Sequence, residues 1–266
     1  SEGMKNVLRS FGPENLEDLT AILSLYRPGP RKSIPTYIYN RHNPDKIVYK
    51  TEALKPILDI TYGCIVYQEQ VMQIFRSLAG YSLGRADIVR RAMSKKKQNV
   101  KKKERETFLY GEKAEDGTIL CDGAIARGVP KEVAEEIYDN VALFSSYAFN
   151  KSHAAAYTVV AYQTAYLKAY YKPEFITAFL NNRITNITDI RQYTTYAKTE
   201  GIPVLPPDIN ESYALFTVKD NKIRYGMGAI KNIGLGLIQS IIDERESNGK
   251  FTSFEDFISR CAHLNL

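Results

Sequence analysis

Features that would assign this chain to several common classes of protein are missing from its 266 residues. There is no apolar stretch of about 18 or more residues, so the sequence predicts no helix that crosses a membrane. Three widely spaced cysteines without a CxxC pair give neither the ligand spacing of a zinc site nor a disulfide framework. The Walker A phosphate-binding pattern and the HExxH zinc pattern are absent as well, so any chemistry must come from other motifs.

The aspartates give no sign of a catalytic metal centre. They are scattered among predicted helices and loops, and no two stand together in an apolar strand, as a two-metal site would require. The first residues lack the pattern of a signal peptide. The chain begins at Ser1 rather than at an initiator Met, so we expect it to be a piece of a longer protein.

Composition and charge are compatible with a polyanionic partner. Hydrophobic residues make up 44% of the sequence, enough to bury a sizeable core. The formal net charge is +6 and the pI is about 9.0. A charge of this size does not identify a partner by itself, so the placement of the basic residues decides.

Helical periodicity dominates the first 205 residues. Apolar residues at helical spacing, with Pro or Gly at the ends of segments, predict helices separated by irregular chain. We expect irregular structure over 31–60 and a surface loop or short hairpin over 111–128. Helices are predicted within 1–26 (two short ones), over 63–78, from Ser82 into the lysine tract, after Pro130, and over 152–171 and 174–181.

The composition changes over residues 201–213, where Gly and three prolines indicate a linker. Beyond it, Asp220-Asn221 lies between two β-prone segments and predicts a hairpin. Clustered glycines and an amphipathic helix over 237–245 follow. We therefore predict a mainly α chain, with a helical domain over 1–205 and a second region over 206–266 that holds a small β-hairpin and a helix-hairpin-helix.

A basic helix over residues 86–97 (ADIVRRAMSKKK) is the first motif with chemical content. Arg91 and Lys95 lie one turn apart, and Arg90 lies on the neighbouring face together with Lys97. Guanidinium groups bind phosphate oxygens in a bidentate manner, so this face suits a triphosphate or a nucleic-acid backbone, with Lys96 and Lys97 as DNA contacts. The alternative is a solvated charged face on which Asp87 pairs with Arg91.

Residues 149–157 (FNKSHAAAY) form the second motif. His153 and Tyr157 are four residues apart on a helix, so they project side by side. A base or sugar can lie over Ala154 and Ala156 against Tyr157, with Lys151 nearby for charge. The alternative is that Tyr157 joins a tyrosine stripe at helical spacing and packs in the core.

The third motif, residues 230–238 (IKNIGLGLI), predicts a helix, a Gly-x-Gly turn and a second helix. Gly234 and Gly236 allow backbone N–H groups to approach a phosphate, assisted by the dipole of the following helix, and Lys231 adds charge. A plain turn that lets two helices pack tightly is the alternative.

Taken in order, these segments resemble family C DNA polymerases, specifically the alpha subunit of bacterial DNA polymerase III. The resemblance also covers residues 25–30 (LYRPGP), 61–72 (TYGCIVYQEQVM) and 165–168 (AYLK), and so runs through nearly the whole chain. Ser94 stands where this family usually has Gly, and Arg31 where Met is common. The lysine tract over 95–103 is richer than usual.

The resemblance implies a polymerase fingers domain over 1–205 and the start of the helix-hairpin-helix region over 206–266. It implies catalytic aspartates upstream and a clamp-binding peptide downstream, so this fragment alone should be inactive and hold no metal ligand. In the full-length enzyme the cofactor is Mg²⁺, and the partners are primer-template DNA, deoxynucleoside triphosphates, the sliding clamp and other replisome subunits, in the cytoplasm at the nucleoid. The implied nucleotide-binding residues are Arg90, Arg91, Lys95, Lys151, His153 and Tyr157, and the DNA-binding residues are Lys96, Lys97, Lys231, Gly234 and Gly236.

Two hypotheses from other classes stay open at this stage. A freestanding DNA-binding module would use the hairpin and the basic helix without any nucleotide site. A structural scaffold would leave the basic face to solvent and would not bind DNA in a salt-dependent manner.

Overall fold

The computed structural model describes residues 1–94, 98–145 and 147–262. Chain contacts divide the protein into two compact units, Ser1–Ala161 and Tyr162–Leu266. Both units are built mainly from α-helices, so the predicted mainly α class is confirmed. This division falls inside the long helix Lys151–Tyr170. The domain boundary predicted after residue 205 from the change in composition stays a prediction.

Helices and one short hairpin make up the first unit. The helices are α1 (Glu2–Phe11), α2 (Leu16–Leu25), α3 (Ile34–His42), α4 (Lys55–Leu58), α5 (Gln68–Ala79), α6 (Leu83–Ser94), α7 (Gln98–Tyr110), α8 (Lys131–Phe144) and α9 (Lys151–Tyr170), which continues past Ala161. Strands β1 (Glu112–Lys113) and β2 (Ile119–Cys121) pair antiparallel between α7 and α8. Of the two structures predicted over 111–128, a surface loop or a short hairpin, the protein has the short hairpin.

Two apolar clusters hold the first unit together. The larger one surrounds Phe75 of α5, whose ring contacts Tyr81, Phe108 and Tyr138 with centroids 5.2 to 6.3 Å apart. The smaller one includes Phe11 and Tyr37, whose rings stack at 5.3 Å. Aromatic pairs in this range add to the free energy gained by burying their area.

Residues 31–60 are more regular than the sequence predicts. Helix α3 occupies nine of them, with Pro35 in its first turn, where the missing N–H removes no intrahelical hydrogen bond. Its Tyr37 is buried, so packing overrides the polar composition. Helix α5 begins at Gln68 rather than near Gly63, because residues 64–67 form an extended segment with contacts of their own.

The second unit combines helices with a small mixed sheet. After the end of α9, it contains α10 (Lys172–Asn182), α11 (Ile187–Thr199), α12 (Leu235–Asn248) and α13 (Phe254–Cys261). Strand β5 (Lys222–Arg224) lies between β3 (Val204–Leu205), parallel to it, and β4 (Thr217–Lys219), antiparallel to it. Asp220 and Asn221 both have positive φ, as a two-residue hairpin turn requires, so the predicted hairpin is confirmed.

The prediction of a helix directly before Gly234 is wrong. That segment contains only a 3₁₀ turn, Met227–Ala229, because the N–H groups of Met227 and Gly228 donate to the carbonyls of Tyr213 and Ala214 (each 2.9 Å) instead of forming intrahelical hydrogen bonds. The left-handed residue of the following turn is Asn232 (φ 67°) rather than a glycine. Helix α12 then begins at Leu235, two residues earlier than predicted.

Candidate functional site

On helix α6, one carboxylate joins the two arginines that the sequence singles out. Asp87 Oδ1 accepts hydrogen bonds from Arg90 Nη2 (2.6 Å) and Arg90 Nε (3.1 Å). Asp87 Oδ2 forms an ion pair with Arg91 Nη2 at 2.6 Å. The spacings i, i+3 and i+4 bring all three side chains to one face of the helix. Lys95, Lys96 and Lys97, the other predicted phosphate contacts of this helix, lie outside the described residues.

The two arginines differ in their exposure to solvent. The Arg90 side chain is only 12% exposed, whereas that of Arg91 is 69% exposed. The hydrogen bond from Arg90 and the positive charges of both arginines hold the pKa of Asp87 below its usual value, so the carboxylate stays ionised near neutral pH. The solvated-face alternative therefore describes Arg91 better than Arg90.

At the start of α9, three aromatic rings follow one another. The Phe149 and His153 ring centroids are 5.4 Å apart, and those of His153 and Tyr157 are 4.6 Å apart. Tyr157 is 63% exposed, so the alternative that places it in a core does not hold among the described residues. Ala154, by contrast, is buried, and only Ala155 and Ala156 offer a low surface beside Tyr157.

Lys151 is engaged within the protein. Its Nζ lies 2.9 Å from Glu17 Oε2 of α2 and 5.4 Å from the centroid of the Tyr67 ring. A phosphate or base that uses Lys151 must therefore compete with Glu17 for the ammonium group. Among the predicted residues of this motif, His153 and Tyr157 are thus more accessible to a ligand than Lys151.

A short parallel pairing places the start of α9 beside the start of α5. The Phe149 N–H donates to the Val66 carbonyl (3.2 Å), and the Gln68 N–H donates to the Phe149 carbonyl (2.9 Å). We call this pairing of residues 66–69 with 148–151 the α5/α9 junction. It connects two motifs that are about eighty residues apart in the sequence.

Glu69 strengthens the α5/α9 junction by capping α9. Both of its carboxylate oxygens accept from the Lys151 N–H at 3.2 Å, and Oε1 also accepts from Asn150 Nδ2 at 3.1 Å. The Asn150 side chain in turn accepts from the His153 N–H at 2.8 Å. Because these groups occupy N–H donors of the first turn, the N-terminus of α9 serves the fold and directs His153 and Tyr157.

Gln70 holds the α5 side of the junction from the protein interior. It is buried, and its Oε1 accepts from the N–H groups of Val66 and Tyr67, each at 2.9 Å. Its Nε2 donates to the Ile57 carbonyl (3.1 Å) and to Thr61 Oγ1 (2.7 Å). The amide thus satisfies the backbone of the extended segment that precedes α5.

Arg27, in the LYRPGP segment, reaches the other side of the junction. Its Nη2 donates to the Tyr147 carbonyl (2.8 Å), and its guanidinium carbon lies 4.2 Å from the centroid of the Phe149 ring. Gly29 has φ 98°, and a Cβ there would come within 2.6 Å of the Tyr147 ring, so glycine is required on both grounds. A third motif is thereby attached to the start of α9.

Helix α6 is connected to the same part of the unit through its buried residue Met93. The Ser145 hydroxyl, just before residues 147–151, contacts Met93 Sδ at 3.8 Å. Asp87 links the arginines to each other, while ring contact links His153 to Tyr157. Helix α6, which carries the two arginines, therefore contacts the chain that leads to the start of α9.

Sequence reasoning did not identify Arg27, Glu69 and Gln70 as residues that build the site. Asn150 three residues before His153 is a capping signal that points to the start of α9. No local signal reveals that Glu69 completes the cap, because Glu69 and Asn150 come into contact only in the tertiary structure.

In the second unit, Gly234 and Gly236 mark the start of α12. Gly234 is the N-cap residue in an extended conformation (φ −72°), and Gly236 lies in the first turn of the helix. Apart from the adjacent residues and the backbone of α12 itself, no heavy atom of the described residues lies within 4 Å of a Cβ built at either position. The alternative that these glycines permit tight helix packing is therefore not supported, and Lys231 is exposed just before the turn.

Comparison with known proteins shows which proteins this chain is similar to. Residues 1–116 match the family described as the bacterial DNA polymerase III alpha subunit finger domain, and residues 201–266 match a helix-hairpin-helix motif. The DNA polymerase III subunit alpha of Borreliella burgdorferi is 48% identical over 260 residues, or 98% of this chain. The chain belongs to the bacterial DNA polymerase III alpha-subunit family.

Other members of the family give the same picture. The DNA polymerase III subunit alpha of Thermus aquaticus is 45% identical over 265 residues, and that of Staphylococcus aureus (strain Mu50) is 41% identical over 260 residues. The chain covers 22%, 21% and 23% of the Borreliella, Thermus and Staphylococcus proteins, about a fifth of their length. The finger-domain match contains Asp87, Arg90 and Arg91.

Residues 1–94, 98–145 and 147–262 contain neither a metal-binding group of side chains nor a membrane-spanning helix. No group of three or more His, Cys, Asp or Glu side chains there can hold a metal ion. No helix in the same ranges has the length and apolarity needed to span a membrane.

Replacing Glu69 with Ala should lower the free energy of unfolding by about 1 to 2 kcal/mol, because the first turn of α9 loses its carboxylate cap. Urea unfolding followed by circular dichroism measures this change. The matched control is Glu132→Ala, which removes an exposed glutamate from the first turn of α8 and should cost less than about 0.5 kcal/mol. Equal effects of the two variants would contradict the capping role of Glu69.

Proposed function

We propose that this chain forms the fingers of a template-directed replicative DNA polymerase and that its first unit binds the incoming deoxynucleoside triphosphate. The observation that carries the proposal is the arginine pair organised by Asp87 on α6, inside the segment that matches the finger-domain family. In this proposal the whole reaction belongs to a longer parent protein, and the chain spans about a fifth of the length of the relatives it matches.

In this proposal, Arg90 and Arg91 bind phosphate oxygens of the triphosphate, together with Lys95. Guanidinium groups match the oxygen pairs of a phosphate and keep their charge at any physiological pH. Their positive charge offsets the negative charge that develops on the leaving pyrophosphate, and fixed donors need little rearrangement during the reaction. The ionised Asp87 neutralises one of the two arginine charges.

His153 and Tyr157 face the nascent base pair in the same proposal. Support comes from the exposure of Tyr157, its contact with His153 and the low surface at Ala156. An exposed aromatic ring provides a stacking surface for any base, and so contributes to binding without reading the sequence. Lys151 joins them only if a ligand displaces its ion pair with Glu17.

Mg²⁺ is the cofactor we propose for the parent polymerase, where it stabilises negative charge during nucleotidyl transfer. The described residues do not fit a metal site, since no suitable group of ligands occurs among them. We therefore assign the metal ligands to other regions of the parent protein. For the same reason, we propose that this chain alone is inactive.

The remaining partners of the parent protein are proposed on the same basis. Primer-template DNA is the substrate partner, while the sliding clamp and other replisome subunits bind regions outside this chain. The setting of this reaction is the bacterial cytoplasm at the nucleoid. A freestanding DNA-binding module is the competing hypothesis, and it requires no recognition of triphosphates.

Arg91→Ala in the parent polymerase should weaken use of the incoming nucleotide by about 1 to 3 kcal/mol, because a charged hydrogen bond to phosphate is lost. Single-nucleotide incorporation at varied triphosphate concentration gives the apparent Kd and the maximal rate. Arg76→Ala, which removes an exposed arginine of α5, is the matched control and should leave both unchanged. An Arg91→Ala enzyme with wild-type affinity and rate would refute the assignment.

The start of α12 is our proposed contact for duplex DNA. The N–H groups of its first turn and the positive end of the helix dipole favour a phosphate near Gly234 and Gly236, with Lys231 adding charge. Open space around both glycines leaves room for a DNA backbone to approach closely. Contacts of this kind carry no base information, so binding should be independent of sequence and should fall with salt.

Gly236→Glu should weaken binding of duplex DNA, because it places negative charge where a phosphate would lie, while the fold is unstrained by the new side chain. Fluorescence anisotropy of a labelled duplex at several salt concentrations measures the affinity. Gly236→Gln is the neutral control of the same shape, and Gly236→Lys should bind more tightly than either. If all three variants bind alike at low salt, α12 does not contact the DNA backbone.

A further inference from the structure

Asp87 has a position that the proposed phosphate contacts do not by themselves explain. It is only 25% exposed, yet it carries a negative charge next to the arginines proposed to bind a polyanion. A carboxylate beside a phosphate site weakens binding by repulsion unless it contributes something else. The geometry of its contacts indicates what that contribution is.

Each oxygen of Asp87 is used by a different arginine. Oδ1 receives Nε and Nη2 of Arg90, so the edge of that guanidinium is fixed in two places. Oδ2 lies 2.6 Å from Nη2 of Arg91. One rigid, planar group thereby sets the separation and the relative orientation of two guanidiniums.

Arg91 has the most to gain from this restraint. Its side chain is 69% exposed, and a long exposed side chain samples many rotamers unless a partner restricts it. Arg90 is already enclosed, with 12% of its side chain exposed. Fixing Arg91 in advance reduces the entropy that a bound triphosphate must otherwise remove.

We propose that Asp87 is a positioning residue for nucleotide binding: it holds Arg90 and Arg91 in the arrangement that the triphosphate requires. This inference rests on the proposed function of the two arginines. Asp87 itself does not touch the nucleotide, so it acts only through them. Its effect must therefore diminish when the arginine through which it acts is removed.

Asp87→Asn is the informative substitution, because it keeps the size of the side chain and changes one acceptor oxygen into an NH₂ group. An NH₂ group cannot accept from a guanidinium, so one arginine loses its partner. Asp87→Glu retains the charge and both acceptor oxygens, and should restore part of the loss. Asp122→Asn is the matched control, since it breaks a surface ion pair of 2.7 Å with Arg127 in the same unit.

The experiment is single-turnover nucleotide incorporation by the parent polymerase that contains this chain. Asp87→Asn should raise the apparent Kd for the triphosphate by about tenfold, the scale of a misplaced binding group, with wild-type affinity for primer-template DNA. The same substitution is then introduced into the Arg91→Ala and Arg90→Ala variants. In at least one of these two variants, Asp87→Asn should raise the apparent Kd for the triphosphate by less than about twofold further. Thermal melting checks that each variant folds, and Asp87→Ala, which removes both acceptor oxygens, carries the same cycle if the Asn variant does not fold.

The outcomes separate this inference from the proposed function. If the single arginine variants leave nucleotide affinity unchanged, the proposed function of the pair fails. If they weaken affinity but Asp87→Asn does not, or if Asp87→Asn retains its full effect in both arginine backgrounds, the positioning role is overturned. An equal loss in Asp122→Asn also overturns it, because the effect would then follow from losing any surface carboxylate.

Discussion

The α5/α9 junction is the constraint on which the rest of the first unit depends. Two backbone hydrogen bonds, from Phe149 to Val66 and from Gln68 to Phe149, hold the starts of α5 and α9 side by side. This is the only isolated parallel bridge among the described residues. Glu69 and Gln70 satisfy the backbone groups on either side of that pairing. Since unpaired backbone groups are costly inside a protein, the pairing and its two side-chain partners stabilise one another.

This arrangement explains why family motifs far apart in the sequence act as one structure. The QEQ segment supplies the cap for α9, and Arg27 binds the chain just before α9 from the other side. The helix begins in a fixed direction as a result, and so His153 and Tyr157 project from a rigid element rather than from a loop. Rigid placement of this kind is what a site for positioning a nucleotide requires.

Much of the helical fold follows from the sequence, but the contacts that define the candidate site do not. Periodicity and the turn residues Asp220 and Asn221 predict α9 and the second hairpin, because these depend on local preferences. Helix α3 was missed, since its formation depends on burial of Tyr37 within a polar segment. The role of Glu69 depends on a partner 82 residues away and has no local signature.

Native-state hydrogen exchange of the 266-residue chain tests the central claim, that the α5/α9 junction is part of the stable core of the first unit. The amide protons of Gln68 and Phe149 should exchange only through the same large opening that exposes the amide of Ile74 in the middle of α5. Their opening free energies should therefore match that of Ile74 and fall with denaturant in parallel. Exchange of Gln68 and Phe149 through a local opening several kcal/mol less costly than that of Ile74 would contradict the account.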